Sequence, residues 1–342
     1  MLRRAAVGTL APVDATPGPA FVEALQRAWD VGDAVLPVDP RLPRPAVERL
    51  LVACRADEPV EDGDALVVAT SGTTGDPKGV VLTHDAVRAS ALATSARLGV
   101  DPDSDSWLSV LPLAHVGGLS VVLRSLVTGT PLVWEGPATL VSMVATQLRR
   151  TDVSGFRRVV LGGAAPPPDL PPNVVTTYGM TETGSGVVYD GVPLDGVEVR
   201  AVDGELQVRG PMLLRCYRDG TDPKDADGWL PTGDGGRVDG DGRVHVDGRL
   251  ADVINTGGEK VWPVAVEAVL RRHPAVDDVA VVGRPDPEWG QRVVAHVVGR
   301  LSLDEARALV KAELPAYCAP KEVVVVDDLP RTPLGKVRRG EL

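Results

Sequence analysis

A short apolar run that leads into a glycine- and hydroxyl-rich stretch is the feature that most constrains the fold of this chain. Residues 65–69 (ALVVA) predict a buried strand, and residues 69–84 follow with the sequence ATSGTTGDPKGVVLTH. Glycines allow positive φ and let the backbone approach a bound group closely. Successive N–H groups in such a turn form an anion-binding concavity, to which hydroxyl and lysine side chains add donors. The stretch therefore predicts a phosphate-binding loop after a strand.

The predicted loop is not a Walker A loop. That pattern needs Gly-Lys followed by Ser or Thr, whereas Lys78 here stands between Pro77 and Gly79. A flexible Gly/Thr turn is the alternative, and partner residues elsewhere in the chain must decide between the two. The predicted phosphate-binding residues are Thr70, Ser71, Gly72, Thr73, Thr74, Gly75 and Lys78.

Composition and charge exclude several classes of protein. The 342 residues are 44% hydrophobic and 24% charged, which is typical of a globular protein with a large and a smaller domain. The net charge is −11 and only residues 331–339 are locally basic, so no nucleic-acid partner is expected. Cys54, Cys216 and Cys318 give no disulfide or metal-binding spacing, which favours a cytoplasmic location. No apolar run is long enough for a signal sequence or a membrane span, so no membrane insertion is expected.

Alternating apolar runs and helical patterns predict an α/β fold up to Val197. Thr83 is the predicted N-cap of one helix. Helices are predicted at residues 19–31, 43–54, 83–98, 118–126 and 139–149, and strands at 34–38, 66–69, 106–111, 131–134, 158–161 and 174–176.

The pattern changes after Val197. Short alternating strands with Asp-Gly turns predict an antiparallel β subdomain, and after Arg249 a small, mobile α+β domain is expected. The chain is thus predicted to be a multi-domain α/β protein with domains at residues 1–249 and 250–342. The Asp-Gly turns lie at residues 203–204, 239–240, 241–242 and 247–248; the later helices are predicted at 263–272 and 303–314, and the later strands at 279–282, 292–298 and 322–326.

Further stretches carry side chains that suit a nucleotide. Tyr178 can stack on a base, Glu182 offers the hard oxygen that Mg²⁺ prefers, and Asp234 offers a carboxylate for a ribose diol. Taken singly, several of these stretches are equally well explained as strand-ending turns, a hairpin, a linker or a basic tail. They are residues 161–166 (LGGAAP), 178–183 (YGMTET), 232–234 (TGD), 248–249 (GR), 255–260 (NTGGEK) and 329–336 (LPRTPLGK).

In this order, from about Asp64 to the end, the stretches resemble the acyl-adenylate-forming superfamily of acyl-CoA ligases, peptide-synthetase adenylation domains and luciferases. Residues 111–124 (LPLAHVGGLSVVLR) and 184–197 (GSGVVYDGVPLDGV) further resemble the o-succinylbenzoate–CoA ligases of menaquinone biosynthesis, in their short actinobacterial form. The resemblance implies two half-reactions. A carboxylic acid reacts with ATP to give acyl-AMP and pyrophosphate, and the acyl group is then transferred to CoA. ATP, Mg²⁺ and CoA are therefore implied.

The resemblance also implies a role for each matching residue. The phosphate loop would hold the β- and γ-phosphates, and Thr181 and Glu182 would bind the α-phosphate and Mg²⁺. Lys336 would bridge the α-phosphate and the attacking carboxylate during adenylation only. The adenine would be flanked by Gly163, Ala164, Tyr178 and Gly179, the ribose held by Asp234 and Arg249, and the CoA side lined by Thr256, Gly257 and Gly258, with Ala251 at the hinge position where many relatives carry Asp or Lys.

The implied acid pocket contains His115, Arg124, Gly184 and Val187. Arg124 lies in the apolar helical stretch GLSVVLRSL, where a guanidinium needs a partner. The second carboxylate of o-succinylbenzoate is one such partner, because a bidentate pair suits arginine; an internal salt bridge is the other. His115 either forms a wall of the pocket or is a satisfied core histidine.

Two alternatives to this function stay open. The acid could be another aryl or medium-chain acid, or the chain could be an adenylation module that passes acyl-AMP to a carrier protein or has lost activity. The presence of Glu182 and Lys336, and the lack of a carrier domain after residue 342, weigh against the second alternative. The chain is shorter than most of the relatives, so its first sixty or so residues are expected to form a reduced subdomain. The expected partners are small molecules, with a homodimer as an alternative to a monomer.

Overall fold

The structure is a computed structural model, and it describes residues 8–70, 77–167, 169–332 and 337–342. The predicted phosphate-binding residues Ser71, Gly72, Thr73, Thr74 and Gly75, and the predicted catalytic Lys336, lie outside the described residues. The chain divides into two compact units. The first consists of Met1–Gly163, Pro171–Glu198 and Val208–Leu230, and the second of Ala164–Leu170, Val199–Gln207 and Pro231–Leu342. The domain boundary between residues 249 and 250 stays a prediction.

Helices and strands alternate in much of the first part of the described chain, and strands predominate from Arg158 to Val261. The helices are α1 (Pro19–Asp30), α2 (Arg44–Ala53), α3 (His84–Leu98), α4 (Val116–Thr128), α5 (Ala145–Leu148), α6 (Pro263–Leu270) and α7 (Leu303–Glu313). The strands are β1 (Leu10–Asp14), β2 (Ala34–Val38), β3 (Asp64–Thr70), β4 (Lys78–Thr83), β5 (Trp107–Leu108), β6 (Leu132–Val133), β7 (Leu140–Val144), β8 (Arg158–Gly162), β9 (Val174–Met180), β10 (Ser185–Tyr189), β11 (Val192–Pro193), β12 (Glu198–Val202), β13 (Glu205–Arg209), β14 (Cys216–Tyr217), β15 (Leu230–Val238), β16 (Val244–Arg249), β17 (Ile254–Thr256), β18 (Glu259–Val261), β19 (Val276–Asp286), β20 (Gly290–Gly299) and β21 (Glu322–Val326).

The first unit contains two sheets. One has the order β1-β2-β3-β4-β14, in which β1, β2 and β3 are parallel and β4 pairs antiparallel with β3 and β14. The other has the order β11-β10-β9-β8-β7-β5-β6, with parallel pairing from β6 to β9. Their central strands are buried Val- and Leu-rich runs, as expected for parallel strands covered on both faces. The predicted α/β fold class is confirmed.

Most predicted elements of the first unit are present, and one prediction is wrong. Thr83 caps α3 as predicted, because its hydroxyl accepts the Ala86 N–H at 3.1 Å. Residues 139–149 are not one helix: Leu140–Val144 is the buried strand β7, followed by a single helical turn. Its parallel pairing with both β5 and β8 accounts for the error, because a short buried apolar run has no periodicity that distinguishes strand from helix.

Asp105 anchors the start of β5 in this sheet. It is 4% exposed and accepts hydrogen bonds from Arg157 Nε at 2.9 Å, from the Thr139 hydroxyl at 2.7 Å and from the Asp101 N–H at 3.0 Å. Burial acts to raise the pKa of Asp105, but these hydrogen bonds outweigh it and lower the pKa from 3.8 to about 2. The carboxylate therefore holds three segments of the chain together in its ionised form.

We expect Asp105→Asn to lower the free energy of unfolding at neutral pH by about 1–3 kcal/mol, because Arg157 loses its charged acceptor. A carboxyl group whose folded-state pKa is depressed stabilises the fold above its ordinary pKa and loses that contribution as the pH falls. The difference between wild type and variant should therefore shrink from pH 3.8 toward about 2. Urea titrations across this range measure it. Asp103→Asn, at an exposed neighbour, is the control; equal effects of both changes would contradict the account.

The second unit contains the two remaining sheets. The strands of one follow the order β12-β13-β15-β16, and those of the other the order β18-β17-β20-β19, with β21 parallel to β20. Helices α6 and α7 pack on the sheet that contains β19 and β20 through Val266, Leu270 and Val310. The predicted hairpin at Asp203-Gly204 is confirmed, with positive φ at both residues. The turn predicted at Asp247-Gly248 is wrong, because these residues lie within β16, where the pairing with β15 shifts register between Gly235 and Gly236.

Among the described residues, no helix has the length and apolar character needed to cross a membrane.

Candidate active site

A tight turn after β9 fixes Thr181 and Glu182 at the end of that strand. Residues Thr181–Thr183 form one 3-10 turn. Strand β9 continues to Met180, beyond the predicted end at residue 176, so Tyr178 and Gly179 lie within the strand. The Thr183 hydroxyl accepts the Met180 N–H at 2.9 Å and donates to the Ser185 carbonyl at 2.6 Å. The Thr183 side chain thus links Met180 and Ser185, the paired strand residues on either side of the turn.

Backbone geometry explains two of the small residues predicted at the adenine. Gly179 pairs with Gly186 of β10, and a Cβ on Gly179 would lie 2.1 Å from the Ser185 carbonyl oxygen. Gly163, directly after β8, has a φ of +86° that favours glycine. Gly163 and Ala164 are both exposed, and so they leave backbone accessible where β8 ends.

Glu182 and Lys78 both contact Tyr217, a residue that the sequence did not single out. The Tyr217 hydroxyl donates to Glu182 Oε1 at 3.0 Å, and Lys78 Nζ lies 5.0 Å from the centre of the Tyr217 ring. The main chain of Glu182 is held as well, because its carbonyl accepts the Leu214 N–H at 2.7 Å. Tyr217 thus contacts both the predicted metal ligand and the last residue of the predicted phosphate-binding set.

The donor set around Glu182 suits a metal ion that is held mainly by a substrate. Over the described ranges, His, Cys, Asp and Glu side chains form no cluster of three or more that could hold a metal. Mg²⁺ commonly uses one or two carboxylates together with substrate phosphates and waters. A single glutamate beside a lysine therefore fits Mg²⁺ bound to ATP better than it fits a permanent metal centre.

Arg124 is buried without a carboxylate partner in the described part of the chain. Its side chain is 2% exposed, and its guanidinium donates to the Ser185 hydroxyl at 2.7 Å and the Ser142 hydroxyl at 3.4 Å. The guanidinium carbon lies 5.2 Å from the centre of the Trp107 ring, while Nε has no hydrogen-bond partner there. Burial lowers the pKa of Arg124. An internal salt bridge, the alternative left open by the sequence, is absent from the described residues.

The predicted acid-pocket residues do not all come together. Arg124 and Gly184 line one small cavity with Val87, Ser90, Ala91, Ser120 and Leu123. Val187 is buried in β10, two residues after the Arg124 partner Ser185. His115 precedes α4 as its N-cap residue, about 13 Å from Arg124 along the helix axis. Burial lowers the pKa of His115, while nearby Asp39 acts to raise it.

In the second unit, Asp234 and Arg249 are cross-strand partners. They pair in register between β15 and β16, and Arg249 Nε lies 3.0 Å from Asp234 Oδ1. Asp234 is 6% exposed, and its N–H donates to the Thr232 hydroxyl at 3.1 Å. Arg249 also donates to the Thr232 carbonyl at 3.0 Å. The hairpin-turn alternative for Thr232–Asp234 is therefore wrong, and the carboxylate and the guanidinium form one polar pair.

The predicted hinge and CoA-side residues follow in the same unit. Ala251 is exposed within the 3-10 turn Leu250–Asp252. Gly257 and Gly258, with φ of +60° and +86°, turn the chain between β17 and β18. The Gly257 N–H donates to the Trp289 carbonyl at 2.8 Å, and a Cβ on Gly257 would lie 2.7 Å from the Trp289 ring. Thr256 is buried beside this turn.

Two contacts were not predicted from the sequence: that of Tyr217 with Glu182 and that of Trp289 with Gly257. Tyr217 belongs to a strand of two residues, which is too short for an alternating pattern. Trp289 follows a strand but makes its contact across the sheet to Gly257. Neither contact has a local sequence signal, because each joins segments far apart in the chain.

Two family models match the chain. The AMP-binding enzyme model matches residues 55–145, and the AMP-binding enzyme C-terminal domain model matches residues 265–336. A probable 2-succinylbenzoate–CoA ligase of Mycobacterium tuberculosis is 40% identical, over 94% of this chain and 94% of its own. The 2-succinylbenzoate–CoA ligase of Listeria monocytogenes is 34% identical, over 81% of this chain and 69% of its own.

Solved structures agree with these matches. The o-succinylbenzoate CoA synthetase of Bacillus subtilis in complex with its acyl-adenylate intermediate superposes with a TM-score of 0.84 at 27% identity, over 98% of this chain and 87% of its own. The same enzyme in complex with ATP and magnesium ion gives a TM-score of 0.84 at 27% identity, over 98% of this chain and 89% of its own. The chain therefore belongs to the AMP-binding enzyme family and, within it, to the 2-succinylbenzoate–CoA ligases.

Proposed function

We propose that this protein is an AMP-forming acid–CoA ligase that converts o-succinylbenzoate, ATP and CoA into o-succinylbenzoyl-CoA, AMP and pyrophosphate, a step of menaquinone biosynthesis. Relatives that cover nearly the whole chain carry this activity in their names. The single observation of the structure that supports the substrate is Arg124, whose guanidinium is buried against two serine hydroxyls and a tryptophan ring. A buried cation without an anion is costly, and a second substrate carboxylate would supply that anion.

In the first half-reaction, a carboxylate oxygen of the acid attacks the α-phosphorus of ATP. A new P–O bond forms, the bond between the α-phosphorus and the bridging oxygen breaks, and pyrophosphate leaves. The protein acts mainly by positioning and by stabilising negative charge. Thr181 and Lys336 would bind the α-phosphate, and Thr70 and Lys78 would complete the set that holds the β- and γ-phosphates.

In the second half-reaction, the CoA thiol loses its proton and its sulfur attacks the acyl-AMP carbonyl carbon. A C–S bond forms, the C–O bond to AMP breaks, and AMP leaves. Tyr178 would stack on the adenine of the nucleotide, with Gly163, Ala164 and Gly179 near the ring. Asp234 and Arg249 would hold the ribose.

Mg²⁺ bound to ATP would neutralise charge on the phosphates, and Glu182 is the residue that would hold it. Tyr217 occupies Glu182 Oε1, which leaves the second carboxylate oxygen as the candidate ligand. Arg124, Gly184, Val187 and His115 would form the acid pocket, in which Arg124 recognises the ring carboxylate while the succinyl carboxylate is activated.

Pyrophosphate release with a panel of carboxylic acids, with and without CoA, tests the proposed function. We expect o-succinylbenzoate to support release, and a thioester to form only with CoA. A preference for another aryl or medium-chain acid would move the assignment to that substrate. Acyl-AMP that is not transferred to CoA would favour the carrier-protein alternative. The homodimer and the cytoplasmic location stay predictions, and sedimentation measures the first.

A bulky residue at Gly257 is expected to damage thioester formation more than adenylation, because this turn would lie on the CoA side. Gly257→Leu would force its side chain into the Trp289 ring from a backbone with a φ of +60°. The comparison variant is Gly258→Ala, which shares the positive φ but whose Cβ meets no atom within 4 Å, so it should lose less. Pyrophosphate exchange and thioester assays measure the two half-reactions; loss of exchange alone would contradict the prediction.

A further inference from the structure

Arginines on both sides of Tyr217 hold the strand β14 in place. Arg215 forms a bidentate pair with the buried Asp64, with both N–O distances at 2.9 Å. Arg218 donates to the main-chain carbonyls of Cys54 at 3.2 Å and Glu58 at 2.6 Å. The backbone adds antiparallel pairing of Tyr217 with Val80. The tyrosine is therefore presented from a rigid support, although its strand has only two residues.

From this support the side chain reaches two groups at once. Its hydroxyl donates to Glu182 Oε1 at 3.0 Å, and its ring lies beneath Lys78 Nζ at 5.0 Å. A hydrogen bond to one carboxylate oxygen restricts rotation of the carboxylate and directs the other oxygen. An ammonium over an aromatic face is attracted by the ring quadrupole, which restricts the long lysine side chain.

We propose that Tyr217 is a positioning residue for the magnesium complex of ATP. It holds the Glu182 carboxylate in the orientation that binds Mg²⁺, and its ring supports Lys78 near the phosphates. The proposal rests on the proposed function, since it needs Glu182 as the metal ligand. In this role Tyr217 would act through Glu182 and Lys78 and would not bind the metal itself. Partners of metal ligands typically affect metal affinity or activity by about 10- to 100-fold when they are removed.

Tyr217→Phe removes the hydroxyl and keeps the ring. We expect the Mg²⁺ concentration for half-maximal ATP binding to rise about tenfold. ATP binding in EDTA should be unchanged, because the ring still supports Lys78. Calorimetric titration of ATP without any acid measures both, so the readout does not depend on turnover. The control is Tyr189→Phe, which removes a buried hydroxyl 3.2 Å from Thr94 Oγ1 and should leave the Mg²⁺ requirement unchanged.

Two further variants separate the contacts. Tyr217→Leu removes the ring as well, and we expect it to weaken ATP binding in EDTA by about two- to fivefold. In a Glu182→Gln background, Tyr217→Phe should cause no further change in Mg²⁺ dependence, because residues that act through one another are not additive. An additive effect would show that Tyr217 acts independently of Glu182 and would overturn the proposal.

The outcomes distinguish this proposal from the proposed function. Wild-type protein that forms no o-succinylbenzoyl-CoA would overturn the proposed function, and wild type that binds ATP without any dependence on Mg²⁺ would overturn the assignment of Glu182. Wild type with the expected dependence, and a Tyr217→Phe variant identical to it, would overturn only the role of Tyr217. If Tyr217→Phe loses the same ATP affinity with and without Mg²⁺ and has a lowered melting temperature, Tyr217 acts in folding, and the proposal is also overturned.

Discussion

Lys336→Ala is expected to lower the rate of acyl-AMP formation by about 10²–10³, the usual cost of removing a charge-stabilising donor from a transition state. Thioester formation from supplied acyl-AMP should stay nearly intact. The resemblance implies that this lysine reaches the site in one domain orientation only, which is the physical reason for the asymmetry. Pyrophosphate exchange and thioester formation from synthetic o-succinylbenzoyl-AMP measure the two steps separately.

The control for this variant is Lys311→Ala, which removes an exposed lysine from α7 in the same unit. It should leave both half-reactions unchanged. Equal losses in the two half-reactions of Lys336→Ala would show that the lysine does not act in one orientation only.

The residues on either side of this lysine are held firmly in the second unit. Arg331 and Val337 form an antiparallel bridge, and Arg331 is paired with Asp278. Arg339 Nη2 lies 2.6 Å from the buried carboxylate of Glu267. These contacts hold Arg331, Val337 and Arg339 in the second unit.

Arg124→Ala is expected to raise KM for o-succinylbenzoate sharply with little change in the affinity for ATP. Truncating one partner of a buried charged pair costs roughly 2–5 kcal/mol, so the loss in kcat/KM should exceed about tenfold. The variant should also lose its preference over a mono-acid analogue that lacks the ring carboxylate. Steady-state kinetics with both acids measure this discrimination.

Arg124 also packs against Trp107, so a loss of packing has to be separated from a loss of charge. Arg124→Met keeps most of the apolar volume and removes the guanidinium, and it should reproduce the loss of discrimination seen with Ala. Unchanged discrimination in a folded variant would contradict the assignment and favour a general aryl or acyl-CoA ligase.

The sequence predicted those features that depend on local chemistry. Thr83 capped its helix, β21 has the predicted bounds at residues 322–326, and Asp203-Gly204 forms its hairpin. The cap and the hairpin depend on residues close together in the chain, where capping and turn preferences act. Strand β21 is a run of valines, which favour strands. The apolar character of the stretch around Arg124 likewise predicted its burial.

Features that depend on distant pairing could not be predicted in the same way. Strand β7 was mistaken for a helix because only its neighbours β5 and β8 determine its conformation. The ion pair between Asp234 and Arg249 depends on the register of two strands. The contact between Tyr217 and Glu182 joins residues 35 positions apart. In each case tertiary packing, and not local propensity, decides the outcome.

Transfer of an oxygen isotope from the acid to AMP tests the central claim most directly. The protein would be incubated with ATP, Mg²⁺, CoA and o-succinylbenzoate labelled with ¹⁸O in the succinyl carboxylate. Attack of that carboxylate on the α-phosphorus, followed by thiol attack on the acyl carbon, leaves one labelled oxygen in AMP. We therefore expect mass spectrometry to find singly labelled AMP together with o-succinylbenzoyl-CoA. Unlabelled AMP, or label in phosphate with ADP as the product, would contradict an acyl-adenylate mechanism.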